Sequence, residues 1–181
     1  MISEIYKFTS FTTSNCYILR PFNDEICMFI DLPPDLNEPL HYVKENNLTV
    51  AGALVTHGHF DHALGMQSFD SNIYMNLNDE FLARNPQEQI AMFTNNTFQA
   101  EKFNGEIIDI KNLPYDFIKI HCNPGHTEGS VSFEFPEMGT IFTGDFVFKD
   151  SIGRTDLKTG NHNDMISSIK NVFSKFNPDY E

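Results

Sequence analysis

Apolar positions along this 181-residue chain follow two periods, which come in clusters. Residues 2–8 and 14–20 are short β-rich runs separated by polar turns, and residues 25–31 form an apolar run ended by Asp31 and the breaker Leu32-Pro33-Pro34-Asp35. The pattern predicts a three-stranded antiparallel start. Residues 36–46 place Leu36, Leu40 and Val43 on one side of a predicted helix. Residues 50–55 are apolar throughout but too few for a helix, so they predict a buried strand that stops at Thr56-His57-Gly58-His59. From residue 62 the pattern turns helical through Ala63, Leu64, Met66 and Phe69. A strand is expected at 72–75, then one or two helices over 78–93 interrupted at Asn85-Pro86, then an Asn/Thr/Gln-rich loop at 94–105. Further strands are expected at 106–110, 115–121, 130–135 and 139–144. The last amphipathic run, 163–176, predicts a helix carrying Met165, Ile166, Ile169, Val172, Phe173 and Phe176, with Asn163 as N-cap and Asp164 in its first turn. Strand clusters with helices between them predict an α+β arrangement, layered sheets with helices outside, rather than strict βαβ alternation.

Composition narrows the class. The length fits one domain over residues 1–181. Apolar residues make up 40 %, and 18 Phe with 6 Tyr exclude a disordered chain. A folded unit of this size buries roughly 70 % of its unfolded surface. Lys and Arg number 12 against 25 Asp and Glu, a net charge of −13, and no basic run occurs. Such a surface repels phosphate, so no nucleic-acid partner is expected. Cys16, Cys27 and Cys122 are odd in number, widely spaced and without a C-x-x-C, which points to reduced thiols rather than a disulfide framework or thiolate zinc site. The opening Met1 to Phe8 lacks a basic region followed by an apolar run, and no apolar stretch approaches membrane-spanning length. The expectation is a cytoplasmic protein with no membrane partner. The oligomeric state is not legible.

Chemistry concentrates in three places. Of seven His, three fall in His57-Gly58-His59-Phe60-Asp61-His62, at the end of the predicted buried strand. Imidazole and carboxylate together suit zinc and neighbouring first-row metals. Residues two apart in extended chain point the same way, so His57 and His59 can serve one ion. The following helical turn swings Asp61 and His62 toward a different point, so a second, adjacent ion is possible. His126 sits in the Gly-rich turn Pro124-Gly125-His126-Thr127 between predicted strands, and Asp145 follows the apolar strand Thr140-Ile141-Phe142 as Thr143-Gly144-Asp145, where its carboxylate could bridge two ions. Of the remaining candidates, His121 reads as an exposed strand residue or a hydrogen-bond partner behind a metal ligand, Cys122 as a strand residue facing the core, and His162 as a surface residue at a helix start.

These motifs resemble the metallo-β-lactamase superfamily, together with Asn15-Cys16-Tyr17-Ile18-Leu19 and the strand ending at Asp31. The resemblance spans nearly the whole chain and implies a four-layer αββα sandwich with metals at one edge of the two sheets. By position, His57, His59 and His126 resemble first-metal ligands, Asp61 and His62 second-metal ligands, and Asp145 the bridging carboxylate. Ser151-Ile152-Gly153-Arg154-Thr155-Asp156-Leu157 is similar to the glyoxalase II-like branch and its persulfide dioxygenase relatives. The alternative for that stretch is a structural turn stabilised by an Arg154–Asp156 network. The family's further His, on a strand after the last helix, has no counterpart before the chain ends at Asn177-Pro178-Asp179-Tyr180-Glu181, and no C-terminal glutathione-binding helical domain follows.

The branch implies a metallohydrolase, with two zinc ions (iron or manganese as alternatives), acting on a small-molecule thioester. A zinc ion lowers the pKa of water toward about 7, and the resulting hydroxide, oriented by Asp61, would attack the carbonyl carbon and expel a thiolate. Two rivals are a mononuclear iron persulfide dioxygenase of the same fold and a non-catalytic metal-binding protein derived from it.

Overall fold

The computed structural model describes residues 4–23, 25–94 and 98–180. Residues 2–3 of the first expected strand and 95–97 of the expected loop lie outside the described residues.

Strands β1 (Ile5–Thr9), β2 (Asn15–Asn23) and β3 (Ile26–Ile30) form the expected antiparallel start. Strands β4 (Thr49–Val55), β5 (Ile73–Met75) and β6 (Ile108–Asp109) then add in parallel, giving a six-stranded sheet in sequential order. The crossovers are helical: α1 (Asn37–Glu45) between β3 and β4, and α2 (Phe60–Ala63) with a 3-10 turn to Ser68 between β4 and β5. After β5 come a 3-10 turn (Leu77–Asp79), α3 (Glu80–Arg84) and α4 (Gln87–Thr94), broken at Asn85-Pro86 as expected. A second antiparallel sheet holds β7 (Lys119–Cys122), β8 (Val131–Phe135) and β9 (Thr140–Phe142). Helix α5 (His162–Asn171) follows.

The central strands read as unbroken apolar runs because both faces are covered. In β3, Cys27 and Phe29 join one buried cluster while Met28 and Ile30 join the other; in β4, Ala53 and Val55 divide from Leu54 in the same way. The first cluster packs beneath Leu40 and Val43 of α1 and Met66 and Phe69 of the next crossover. The second lies between the sheets, where Leu19, Met28 and Leu54 meet Val131, Phe133 and Phe135. Beyond the second sheet, His121 of β7 stacks edge-on against Phe176, after α5. The result is the four-layer αββα sandwich.

Several expectations change in detail. The strand expected over 106–110 shrinks to two residues, because the Asp109 carboxylate accepts the Lys111 backbone N–H and turns the chain into a 3-10 segment. The strand expected from 115 starts at Lys119, after a turn closed by Ile118 N–H to the Tyr115 carbonyl. The cap of α5 is Asn161, whose side chain accepts the Asn163 and Asp164 N–H groups, not Asn163 itself. That helix stops at Asn171 and buries Met165 and Ser168, while Ile166 stays exposed. Cys122 is exposed rather than core-facing, at the end of edge strand β7.

Candidate metal centre

The C-terminal ends of three neighbouring parallel strands deliver most of the chemistry. Asp31 follows β3, His57 to His62 follow β4, and Asp79 closes the turn after β5. The second sheet contributes His126 from the β7–β8 turn and Asp145 from just beyond β9. Val131 N–H donates to the Thr56 carbonyl at 2.9 Å, tying the two sheets together beside the cluster.

The sequence-predicted residues converge in two overlapping groups. One ligand atom each from His57, His59 and His126 lies within 4.8 Å of the others, and the same holds for His57, His62 and Asp145. His59 Nδ1 and His126 Nε2 stand 2.9 Å apart. His62 Nε2 is 3.3 Å from Asp145 Oδ1 and 3.7 Å from Asp61 Oδ2, so Asp61 borders the second group. His57, His59, His62 and His126 are buried, whereas Asp61 and Asp145 each keep about a quarter of their side chains open, 27 %. His162 and His41 are exposed, and His121 bonds Glu134 at 2.7 Å on the outer face of the second sheet.

Protonation follows from burial. Desolvation, reinforced by the neighbouring imidazoles, holds His57 well below its ordinary pKa and brings His59 down to about 3. Both rings are therefore neutral near pH 7 and offer lone pairs. Burial also opposes charge on His62, but Asp31, Asp145 and Asp61 outweigh it and push the ring well above its usual value. Burial raises the Asp61 carboxyl, helped by Asp145; for Asp145 the opposing His62 hydrogen bond wins and lowers it. The test of fit to a cation is His57 Nε2, a buried nitrogen with no hydrogen-bond partner. Such an orphan is costly unless something fills its lone pair, and neutral imidazoles with carboxylates form a donor set suited to a divalent first-row ion.

Two carboxylates that the sequence reading did not assign hold the cluster in place. Asp31, itself in the left-handed region at φ 60°, accepts the Thr56 N–H at 2.7 Å, the Thr56 hydroxyl at 2.9 Å and His62 Nδ1 at 2.8 Å. Its bond keeps a proton on His62 Nδ1, so Nε2 is the nitrogen that would give up its proton and turn its lone pair to a cation. Asp79, fully buried, accepts from Gly58 N–H (2.8 Å), Thr127 Oγ1 (2.6 Å) and Gly129 N–H (2.8 Å), joining the two His-bearing loops. Gly58 and Gly129 are glycines for a reason of space: a Cβ on Gly58 would stand 2.6 Å from the Asp79 carbonyl oxygen, and one on Gly129 would stand 2.6 Å from the Asp79 carboxyl carbon. His126 Nδ1 pairs with the Arg154 carbonyl at 2.8 Å, and Arg154 grips Asp156 through two 2.7 Å bonds, the turn network expected for that segment. The cluster floors a cleft of about 630 Å³ walled by Phe11, Phe60, Phe93, Phe98, Phe148 and Leu157.

The model of the "Metallo-beta-lactamase superfamily" matches residues 9–181. "Hydroxyacylglutathione hydrolase GloC" of Haemophilus influenzae is 32 % identical over 187 residues, covering 97 % of this chain and 86 % of its own. Among solved structures, BLEG-1 B3 metallo-beta-lactamase superposes with a TM-score of 0.80 at 26 % identity, covering 96 % of this chain and 87 % of that one. TTHA1623, solved in a di-iron-bound form, superposes with a TM-score of 0.79 at 21 % identity, covering 97 % and 87 %. No helix among the described residues is long and apolar enough to cross a membrane.

Proposed function

The chain belongs to the metallo-β-lactamase superfamily, and from that premise we propose that it is a metal-dependent hydrolase cleaving a thioester, with glyoxalase II-like chemistry. The observation that carries this reading is the convergence of the His57, His59 and His126 nitrogens around an unpartnered, buried His57 Nε2. Those three residues would hold one ion. His62, Asp61 and Asp145 would hold a second, with Asp145 placed to serve both because it lies 3.5 Å from His126 Nε2 and 3.3 Å from His62 Nε2. When bound, such ions supply an activated water at neutral pH and a Lewis acid for the carbonyl oxygen.

The rest of the work falls to the chain. Asp61, partly open to the cleft, orients the attacking water. Asp31 keeps a proton on His62 Nδ1, and the Arg154 carbonyl does the same for His126 by accepting from its Nδ1. The thiolate leaves without a side-chain acid, since its conjugate thiol is already acidic enough to depart near neutral pH. No Ser or Cys nucleophile is required: Cys16 is buried and pushed far above the ordinary thiol range by desolvation.

Zinc is the proposed metal, and the mixed imidazole–carboxylate set also accommodates iron or manganese. A cytoplasmic location is proposed from the reduced-thiol pattern; Cys16, Cys27 and Cys122 are all free. The test is hydrolysis of a simple acyl thioester by zinc-loaded protein, followed as thiol release. Turnover that is removed by a chelator and restored by zinc supports the reading. Absence of turnover with full metal loading refutes it.

A further inference from the structure

The cleft above the cluster is built for a particular kind of group. Four rings form a continuous run along one wall: Phe11 meets Phe98 edge-on at 5.9 Å between centroids, Phe98 meets Phe60 at 6.2 Å, and Phe60 stacks on Phe93 at 6.2 Å. Phe148 and Leu157 line the same cleft. Three of these rings are unusually open for such large apolar groups, with Phe11 66 %, Phe148 49 % and Phe93 46 % exposed. A contiguous apolar lining of that kind, beside reactive groups, marks a ligand site.

Most polar side chains of the walls are already engaged. Gln89 accepts the Phe60 N–H and donates to the Leu82 carbonyl. The Thr94 hydroxyl donates to the Ile90 carbonyl, and the Thr12 hydroxyl bonds Ser10 and Ser14. Arg154 gives Nε and Nη2 to Asp156 and lies 5.8 Å from the Phe93 ring centre, which leaves Nη1 uncommitted among the described residues. Among the described lining residues, the charged and imidazole side-chain atoms open to a ligand are those of the floor, His59, Asp61, His126 and Asp145, and Arg154 Nη1 on the wall. The rest of the wall is aromatic and aliphatic, so a ring would find faces and edges at stacking distance.

We infer that the substrate is a thioester whose acyl group is bulky, apolar and ring-bearing, an arylalkanoyl thioester, with Phe11, Phe93 and Phe98 as the specificity-determining residues. The inference rests on the thioester reading and names its substrate class. The step is ordinary hydrolysis: water adds to the carbonyl carbon, the C–S bond breaks, and the products are an arylalkanoate and a thiol.

The experiment compares three thioesters of one thiol, N-acetylcysteamine, carrying acetyl, lactoyl and 3-phenylpropionyl groups, with zinc-loaded full chain. The expected result is a kcat/KM for the phenylpropionyl ester at least ~10-fold above the other two, the scale on which an apolar pocket discriminates. Phe11→Ala and Phe93→Ala, both at exposed positions where folding is not at stake, should each cut the phenylpropionyl-to-acetyl ratio several-fold. Equal or better turnover of the lactoyl ester, or ratios unchanged in both variants, would overturn the inference while leaving the thioester reading standing. If none of the three esters turns over, the thioester reading fails, and calorimetry with the non-hydrolysable phenylpropyl thioether decides the site. Binding weakened by Phe93→Ala supports the aromatic cleft, and no binding to the wild type overturns it.

Discussion

Replacing Asp31 by Asn tests its positioning role without straining the backbone, because Asn tolerates the left-handed conformation this position adopts at φ 60°. The amide can sit two ways. With its oxygen at the Oδ2 position it still accepts from His62 Nδ1 and Thr56 Oγ1, but its NH2 then faces the Thr56 N–H across 2.7 Å, donor against donor. With its NH2 at that position the contacts survive, provided the Thr56 hydroxyl turns to accept and His62 keeps its proton on Nε2 rather than Nδ1. The first arrangement leaves a buried N–H unsatisfied at a cost of about 1–3 kcal/mol. The second is therefore preferred in metal-free protein, once His62 has lost the Asp31 charge that chiefly holds it protonated, and the lost ion pair lowers metal-free stability as well. Nε2 is the atom facing Asp145 and Asp61, so an ion can bind there only by forcing the costlier arrangement. Metal affinity at the second site should fall roughly 10–100-fold, the scale seen when a partner behind a metal-ligating His is lost. Competition titration against a chromophoric chelator reads the affinity, and denaturant unfolding of metal-free protein reads the stability. Unchanged metal affinity would refute this role for Asp31.

Other outcomes follow from the same geometry. His59→Ala and Asp61→Ala should each abolish thioester turnover and lower metal content, and an active, fully metallated Asp61→Ala protein would end the role given to that carboxylate. Gly129→Ala drives a methyl against Asp79, within 2.6 Å of its carboxyl carbon, so unfolding free energy should drop by about 1–3 kcal/mol; a Tm within a degree of wild type would contradict that. Burial tends to raise the Glu134 carboxyl, but hydrogen bonds from Lys119 and His121 dominate and hold it below its ordinary value of 4.5. A lowered folded-state pKa adds stability that is present above the unfolded value and lost as pH falls through the folded one. Acid titration of stability below pH 4.5 should accordingly be shallower in Glu134→Gln than in wild type, and parallel curves would exclude the effect.

The parts of this molecule legible from sequence are those written in local patterns. The three opening strands, the buried fourth and the helix break at Asn85-Pro86 all follow from short-range periodicity and breakers, and the structure places them within a few residues. The four-layer fold was legible through the resemblance that the His57-to-His62 run, His126 and Asp145 carry to the metallo-β-lactamase superfamily. What stayed hidden depends on distant partners. Asp79 reads as an ordinary helix-start residue, yet its three bonds reach Gly58, Thr127 and Gly129, 21, 48 and 50 positions away. Asp31 reads as a strand terminator, and only the fold brings His62 to it. Cys122 has the alternation of an inward residue, and its exposure reflects its place at the end of an edge strand. The aromatic wall joins Phe11, in the turn between β1 and β2, to Phe93 of α4 and to Phe98 after it, a distance along the chain that no periodicity links.

The most direct test of the central claim is thioester turnover by metal-free protein as zinc is added in measured equivalents. If the His and Asp cluster holds two catalytic ions, turnover starts near zero, rises with added metal and levels at two equivalents per chain. Turnover that is already maximal without metal, or absent at every loading, would contradict it.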